Sequence, residues 1–341
     1  MRGERPMKVE QMIVSKYRGE NVSKYRIKNK QGNYIDVMTQ GATWLAFVAD
    51  GTNLLAHFDT VEEYYNAPTY LCKSIGRVAG RIGNSQVEID GVMHKLPQNE
   101  DDKTLHGGPN GFSDYNWAAT ILENKDESKV VFTKKITEEK DGFPGNLEAK
   151  IEYSFDENNQ VKIKFSAKAD GSGIFNPTNH VYFNLSDQQV NLTKHVLEIN
   201  GSSRLELNQA KLPTGKFLEN TQTGYDFEHG NLIVDALEKI KHEFGASELD
   251  DVFVVKGGTI KPIGKLSNLK NHKQIEIYST RPGLVVYTTD IFNQGDEFNA
   301  IALEAQGLPD FMHHPEWKDN YYIEDGTEKS YEIRYQYSIA K

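Results

Sequence analysis

The chain has 341 residues, a formal net charge of −10 and a single cysteine, Cys72. Its length allows one long β unit or about two domains. The acidic balance, without a long basic block, argues against a nucleic-acid partner. No apolar run approaches the roughly 20 residues of a membrane span, and the N-terminus lacks the apolar core of a signal peptide. One cysteine permits no internal disulfide, so we expect a cytoplasmic protein.

Hydrophobic residues alternate with period two along most of the chain, which predicts β-strands. In chain order, two short strands are expected within 25–38 and another over 41–47. Thr60 as an N-cap, with Glu63 three residues later, predicts a short helix that ends before Pro68. Strands therefore dominate the first part of the chain, and helices are rare there.

The Asp90-Gly91 pair predicts a hairpin over 86–96. Apart from the short helix after Thr60, only residues 233–244 carry a helical pattern, and it is weak. Further strands are predicted over 129–138, 147–155, 160–169, 260–290 and 331–339. The pattern predicts an all-β protein of two or more packed antiparallel sheets with few short helices. We expect a single domain over 1–341, with residues 1–20 as a peripheral N-terminal segment.

Residues 176–185 read Asn-Pro-Thr-Asn-His-Val-Tyr-Phe-Asn-Leu and place His180 at the start of an apolar, aromatic run. Pro177 fixes φ and disfavours helix before it, whereas the residues after His180 are typical of a buried strand. A titratable ring between a rigid turn and a stiff strand is well placed for proton transfer. A histidine satisfied within the core is an equally good interpretation.

Two glycine-containing stretches hold further candidates. Residues 76–83, Gly-Arg-Val-Ala-Gly-Arg-Ile-Gly, carry Arg77 and Arg81 but no phosphate-binding fingerprint. Solvated arginines on a glycine-rich turn are the alternative there. Residues 104–112 place His106 before Gly-Gly-Pro, on a loop whose backbone can approach a ligand closely.

Three acidic residues lie at or within apolar strand patterns. Asp250 and Asp251 lead directly into one strand, where they either cap its start or accept hydrogen bonds from sugar hydroxyls. Glu304 lies inside another, where a carboxylate is costly unless it is partnered or used. That position predicts a raised pKa and a role as general base, unless the alternation points Glu304 at solvent.

Taken in order, these five stretches resemble the aldose 1-epimerases, the galactose mutarotase family, from about residue 25 onwards. The same order includes Asp-Gly-Phe-Pro-Gly at 141–145, Leu-Pro-Thr-Gly at 212–215 and Tyr-Asp-Phe at 225–227. The resemblance implies a β-supersandwich. It also implies an isomerase that interconverts the α and β anomers of free aldoses such as galactose or glucose, with no cofactor and no metal.

Roles carried over by the resemblance make Glu304 the base and His180 the acid, with His106 at the ring oxygen or anomeric centre. The implied substrate-binding residues are Arg81, His106, His180, Tyr182 and Asp250. Ring opening needs a base on the C1 hydroxyl and an acid on the ring oxygen. We therefore expect Glu304 to start ionised and His180 to start protonated, each holding the other in its charged form.

Three positions depart from the family pattern. Gly80 stands where asparagine is frequent, Asp251 where histidine is frequent, and Val285 where some members carry a glutamine that contacts sugar. The acid–base pair is untouched by these differences. They leave the preferred sugar open among galactose, glucose and a disaccharide such as maltose.

Three other functions are possible for these residues, and each makes different demands on them. A non-catalytic carbohydrate-binding or regulatory protein of the same fold would not need an acid paired with a base. Glycoside hydrolysis would use Asp250 and Glu304 as flanking carboxylates and leave the histidines idle. A metal site from His94, His106 and His180 lacks the usual ligand spacing. The expected partner is a small monosaccharide, bound by a monomer or homodimer without nucleic acid or membrane.

Overall fold

The structure is a computed structural model that describes residues 6–188, 190–291, 298–317 and 321–340. Within these ranges the chain forms three α-helices and three short 3-10 turns among many strands. The α-helices are α1 Val61–Asn66, α2 Glu138–Asp141 and α3 Ile233–Phe244. The 3-10 turns are Gly83–Ser85, Phe112–Asp114 and Phe311–His313.

The strands of the first half of the chain are β1 Val9–Tyr17, β2 Glu20–Lys28, β3 Tyr34–Met38, β4 Thr43–Ala49, β5 Thr52–Asn53, β6 Ser74–Ile75, β7 Arg81–Ile82, β8 Gln86–Ile89, β9 Val92–Lys95, β10 Thr104–Leu105, β11 Ala118–Leu122, β12 Glu127–Ile136, β13 Asn146–Asp156 and β14 Gln160–Asp170. Those of the second half are β15 Gly173–Ile174, β16 Thr178–Asn179, β17 Tyr182–Phe183, β18 His195–Ile199, β19 Ser203–Leu207, β20 Pro213–Glu219, β21 Asn231–Leu232, β22 Asp250–Val254, β23 Lys261–Asn268, β24 Lys273–Ser279, β25 Gly283–Thr289, β26 Ala300–Gln306, β27 Tyr322–Ile323 and β28 Glu328–Ile339.

Three large antiparallel sheets make up the fold, as the alternating pattern predicts. One has the order β1-β2-β3-β4-β5, the second β11-β12-β13-β14-β28-β24-β23-β18-β21, and the third β17-β26-β25-β22-β19-β20. Four two-stranded ribbons complete the described part: β10-β7, β15-β27, β16-β6 and β8-β9. The prediction of an all-β sandwich with few helices is confirmed.

Trp44 lies where the three large sheets meet. Its ring, on β4, contacts Phe183 of β17 at a centroid distance of 6.2 Å and Tyr335 of β28 at 5.3 Å. In β14 the apolar side chains face this core, while the intervening lysines face outward, as the alternation predicts. The apolar faces of the sheets therefore bury one another and leave their polar faces to solvent.

Local turn and cap signals were also read correctly. The Asp90-Gly91 turn joins β8 to β9, and the weak helical pattern corresponds to α3. At α1 both the backbone N–H and the hydroxyl of Thr60 donate to Glu63 Oε2, each at 2.8 Å. These contacts form the predicted helix start.

The run over 176–185 is not one continuous strand. β16 pairs with β6, whereas β17 pairs with β26 of the third large sheet, so the chain changes partner at His180. There the backbone N–H of His180 donates to the carbonyl of Lys73 at 2.9 Å. The change of sheet holds His180 at a junction, a position that a regular strand would not give it.

At the N-terminus, β1 forms the edge of the five-stranded sheet, with Met12 and Ile13 largely exposed. Of the helices in the described ranges, none combines the length and the apolar character that crossing a bilayer requires.

Candidate active site

The floor of the candidate site is one face of the third large sheet. Glu304 on β26 pairs with Val285 on β25, and Asp250 on β22 pairs with Tyr287 on β25. Side chains two residues apart on a strand share a face, so these four side chains rise from one surface. All four line a cavity with about 230 Å³ of solvent-accessible space, somewhat below the roughly 300–1,000 Å³ of typical small-molecule sites.

His180 stands at the wall of this cavity, against the floor. Its Nε2 lies 3.4 Å from Glu304 Oε1, and its ring stacks on that of Tyr182 at 4.9 Å. Residues far apart in sequence are therefore brought into one acid–base pair. The pair lies deep, since Glu304 is only 2% exposed and His180 only 6%; the alternative that Glu304 points at solvent is wrong.

Burial sets the protonation of this pair. It raises the pKa of Glu304 well above its usual value and lowers the pKa of His180 to about 4, because each charged form loses its hydration. The negative charge of Asp250 favours the protonated form of both groups. The prediction of a raised pKa for Glu304 is confirmed in direction. Desolvation by itself favours the neutral forms of both groups, so the expectation that they hold each other charged stays a prediction.

His106 lines the same cavity, next to His180. The backbone N–H of Gly80 donates to His106 Nδ1 at 3.2 Å, so the ring carries its proton on Nε2 when neutral. Burial and the charges of His180 and Arg81 lower the pKa of His106. The ring lies edge-on to that of His180 at 5.2 Å, which makes His106 a neutral donor beside the acid–base pair.

Glycine is required where His106 leaves its strand. At Gly107, φ is +86°, and an added Cβ would lie 1.9 Å from the carbonyl oxygen of Gly76. At Gly80, φ is +78°, and an added Cβ would lie 2.8 Å from Pro309 Cβ. Gly80 also lines the cavity, and its close approach to Pro309 leaves no room there for a larger side chain.

The two arginines of the glycine-rich stretch have different positions. Arg81 lines the cavity and is held by Glu100 through Nε at 2.6 Å and Nη2 at 2.8 Å. That pair uses two of the five guanidinium N–H groups and leaves three for other partners. Arg77 is fully buried and bonds Asp141 in the same two-pronged way. The alternative of a solvated arginine is therefore wrong for Arg77, which is a structural residue.

Asp250 and Asp251 face different surroundings. Asp250 lines the cavity and pairs with Lys211 at 3.0 Å. Asp251 lies 3.7 Å from Arg204 Nε, and burial raises its pKa to about 6. The sequence prediction thus places Asp250 at the site, while Asp251 belongs to a neighbouring cluster.

Tyr182 differs in placement from the other predicted binding residues. It is 1% exposed, lies behind His180, and donates its hydroxyl to the carbonyl of Thr69 at 3.0 Å. It is not part of the cavity lining. Its position supports the imidazole ring of His180 and offers no direct contact with a ligand.

Sequence reasoning missed Gln306, the lining residue with the strongest structural signal. It lies two residues after Glu304 on β26 and shares its face, a spacing that could have identified it. Among the described residues, the buried polar atoms without a hydrogen-bond partner include both amide atoms of Gln306, together with Glu304 Oε2 and His180 Nδ1. Buried polar atoms are normally paired, so these three side chains, which all line the cavity, are candidates for contact with a polar ligand. Lys211 and Tyr287 also line the cavity and were not predicted.

A metal site was tested against the same geometry. In the described ranges, no three histidine, cysteine or acidic side chains cluster closely enough to hold a metal ion. His94, which the metal hypothesis requires, lies opposite Val87 in the β8–β9 hairpin and does not line the cavity.

Comparison with known proteins gives consistent matches over most of the chain. The family model of aldose 1-epimerase matches residues 23–336. The maltose epimerase of Levilactobacillus brevis is 41% identical over 308 residues, which are 88% of this chain and 90% of that protein. The aldose 1-epimerase of Streptococcus thermophilus is 38% identical and covers 97% of this chain and 99% of its own.

The solved structures agree. A galactose 1-epimerase from Lactobacillus acidophilus has a TM-score of 0.87 at 25% identity, covering 98% of this chain and all of that one. The antiparallel sheets and the cavity with its buried carboxyl and imidazole therefore define a sugar isomerase. The chain belongs to the aldose 1-epimerase family.

Proposed function

We propose that Glu304 and His180 interconvert the α and β anomers of a free aldose by opening and reclosing its ring. The observation that carries this proposal is the 3.4 Å separation of Glu304 Oε1 from His180 Nε2 at the bottom of the cavity. A base and an acid so close together can serve the C1 hydroxyl and the ring oxygen of one pyranose. These two oxygens are bonded to the same carbon atom.

The proton count of the pair is the same at the start and the end of the reaction. The pair holds one proton, either on the carboxyl or on the imidazole. In the reactive arrangement Glu304 accepts the C1 hydroxyl proton while His180 donates to the ring oxygen, and the C1–O5 bond breaks. Rotation about C1–C2 and the reverse transfers close the other anomer. Each transfer typically contributes about 10²–10⁴-fold to the rate.

The reactive arrangement requires the proton to pass from Glu304 to His180, since burial favours the carboxyl. Asp250 raises the pKa of both groups, so its charge keeps one proton on the pair without directing that proton to either member. Sugar hydroxyls that donate to Glu304 Oε2 would stabilise the carboxylate. His106 supplies a neutral Nε2–H donor for a sugar oxygen beside the pair.

We infer that Arg81, Asp250 and Gln306 bind the sugar hydroxyls. Arg81 has donors that Glu100 does not use, Asp250 accepts, and the amide of Gln306 both donates and accepts. Tyr182 acts by holding the His180 ring and does not contact the sugar.

Polarimetry tests the proposed function directly. Freshly dissolved α-galactose and α-glucose should lose optical rotation faster with the protein than without it, in proportion to protein concentration. A pure sugar-binding protein would leave the rate at its spontaneous value. Release of nitrophenol from a nitrophenyl glycoside would instead indicate hydrolysis by Asp250 and Glu304.

A reducing disaccharide is a second candidate substrate. The maltose epimerase of Levilactobacillus brevis supports it, because 41% of the aligned residues are identical. Val285 also presents an apolar surface to the cavity where some family members carry glutamine. Values of kcat and KM for galactose, glucose and maltose, measured side by side, decide among these sugars.

We also infer that the enzyme works in the cytoplasm as a monomer or homodimer, on small sugars without nucleic acid or membrane. A buried free thiol at Cys72 suits a reducing compartment, and the net charge of −10 disfavours nucleic acid. Light scattering after gel filtration measures the oligomeric state. Cell fractionation shows whether the protein is in the cytoplasm.

A further inference from the structure

The catalytic cavity opens on one side into a second depression, here called the outer groove. It lies between the turn 208–212 and the loop 245–249, and it offers about 430 Å³ of solvent-accessible space. The cavity and the outer groove share four lining residues: Leu207, Lys211, Glu248 and Asp250. We propose that the outer groove is a second sugar subsite, which holds the non-reducing ring of a 4-linked reducing disaccharide. This inference rests on the proposed function.

The depth of the acid–base pair fixes how a sugar enters. Glu304 and His180 are almost completely buried at the bottom, whereas the side chains of Lys211 and Asp250, at the boundary with the outer groove, are 43% and 27% exposed. The anomeric carbon, C1, must reach the bottom. Because C4 lies across the pyranose ring from C1, a substituent on O4 points toward the boundary.

The spacing of the strands fits one ring in each compartment. Glu304 on β26 and Asp250 on β22 are separated by β25, which is two strand spacings or about 10 Å. One pyranose bridges that distance. The next strand, β19, carries Leu207, which lines both compartments, so the sheet continues beneath the boundary between them.

The chemistry of the outer groove suits sugar hydroxyls. Three lining side chains offer polar groups: the carboxylate of Glu206, the amide of Asn208 and the hydroxyl of Ser247. Behind them, the guanidinium of Arg204 lies 3.7 Å from the centre of the Tyr225 ring and is paired with Asp251. The guanidinium of Arg204 is therefore held in place, which reduces the entropy lost when a ligand binds against it.

Lys211 stands between the two compartments. Its Nζ is 3.0 Å from Asp250, and it lines both the cavity and the outer groove. An ammonium group has three donors, so Lys211 can keep its contact with Asp250 and still donate to the oxygens of a disaccharide. A monosaccharide would use only the inner compartment.

Ser247→Trp tests the proposal, with His242→Trp as the matched control. Ser247 is an exposed loop residue that lines the outer groove alone, whereas His242 is exposed on α3 and lines neither compartment. We expect wild-type protein to turn over maltose as well as glucose. In Ser247→Trp, kcat/KM for maltose should fall at least about tenfold through KM, with glucose kinetics nearly unchanged. His242→Trp should leave both sugars unchanged.

The outcomes separate this inference from the proposed function. If glucose is turned over but maltose is not, or if both tryptophan variants treat maltose alike, the outer groove is not a sugar subsite. If wild-type protein accelerates the mutarotation of neither sugar, the proposed function itself is wrong and the subsite falls with it. Glucose turnover by Ser247→Trp shows that this variant is folded.

Discussion

The chemical role proposed for Glu304 depends on its position at the bottom of the cavity. A carboxylate on the solvent face of the same strand would keep its ordinary pKa and would meet no sugar. Burial raises the pKa of Glu304, and the contact with His180 gives its proton a destination 3.4 Å away. The side chain thus combines the buried state, which is unfavourable for folding, with the proton transfer that the reaction needs.

Glu304→Gln tests that role. The amide keeps the shape of the side chain but cannot accept the C1 proton, so kcat should fall by at least about 10²-fold with KM changed little. Asp250→Ala is the comparison, since its proposed task is binding, and it should act mainly on KM. Polarimetry on freshly dissolved α-galactose measures kcat and KM for both variants. Near wild-type kcat in Glu304→Gln would place the base elsewhere.

Gln306→Met tests the binding role of the residue that sequence reasoning missed. Methionine has a similar length and no strong hydrogen-bonding group, so one or two contacts to the sugar are lost. At about 0.5–1.5 kcal/mol per hydrogen bond, KM should rise roughly three- to tenfold or more, with kcat largely kept. An unchanged KM for galactose and glucose would show that Gln306 does not contact the sugar.

At the scale of elements, the loop that carries Arg81 and Gly80 is held by the buried pair of Arg77 and Asp141. Arg77 also donates to the carbonyls of Pro144 and Gly145 at 3.0 and 2.8 Å. The sequence 141–145 is therefore an anchor for the glycine-rich stretch and has no direct part in chemistry. The anchor fixes the backbone that positions His106 through Gly80.

Asp141→Asn measures this anchor. It leaves a buried guanidinium without its countercharge, which typically costs about 3–5 kcal/mol of unfolding free energy. Glu127→Gln is the control, because its pair with Lys162 at 2.9 Å is partly exposed and should contribute less than about 1 kcal/mol. Denaturant unfolding gives both values. Equal, small losses would show that Arg77 finds other partners.

Over the whole molecule, buried neutral histidines make stability depend on pH. Burial lowers the pKa of His195 to about 4, against about 6.5 for an exposed histidine. His195 Nε2 accepts the backbone N–H of Leu185 at 2.9 Å, so protonation would remove that contact. Between pH 6.5 and pH 4 the unfolded chain binds this proton and the native protein does not. The stability contributed by neutral His195 is therefore complete above pH 6.5 and is lost as pH falls.

Unfolding measurements across this range test the effect. From pH 6.5 to pH 4 the contribution of His195 should decline by about 3 kcal/mol. His195→Gln keeps an acceptor for Leu185 without a titrating ring, so its free energy of unfolding should fall less steeply with decreasing pH. His180 and Glu304 are unchanged in this variant, so their opposite shifts cancel in the comparison. Parallel slopes for the two proteins would contradict the assignment.

The sequence alone determined the strands β12–β14, β23–β25 and β28, the α3 helix, the capped α1 helix and the hairpin at Asp90-Gly91. These features depend on neighbours within a few residues, through side-chain alternation, capping and turn geometry. It also identified Glu304, His180, His106, Arg81 and Asp250 as candidates, because a charged or titratable group in an apolar strand or glycine-rich loop is conspicuous without any partner.

Only the tertiary structure decided how those candidates work. The partner of Arg77, the position of Tyr182 behind His180, and the exposure of Gln306 to the cavity depend on contacts between residues distant in sequence. The same is true of the protonation of Glu304 and His180, because desolvation is a property of everything packed around a group. Local patterns can nominate a side chain, but burial and the identity of its neighbours exist only once the sheets have packed.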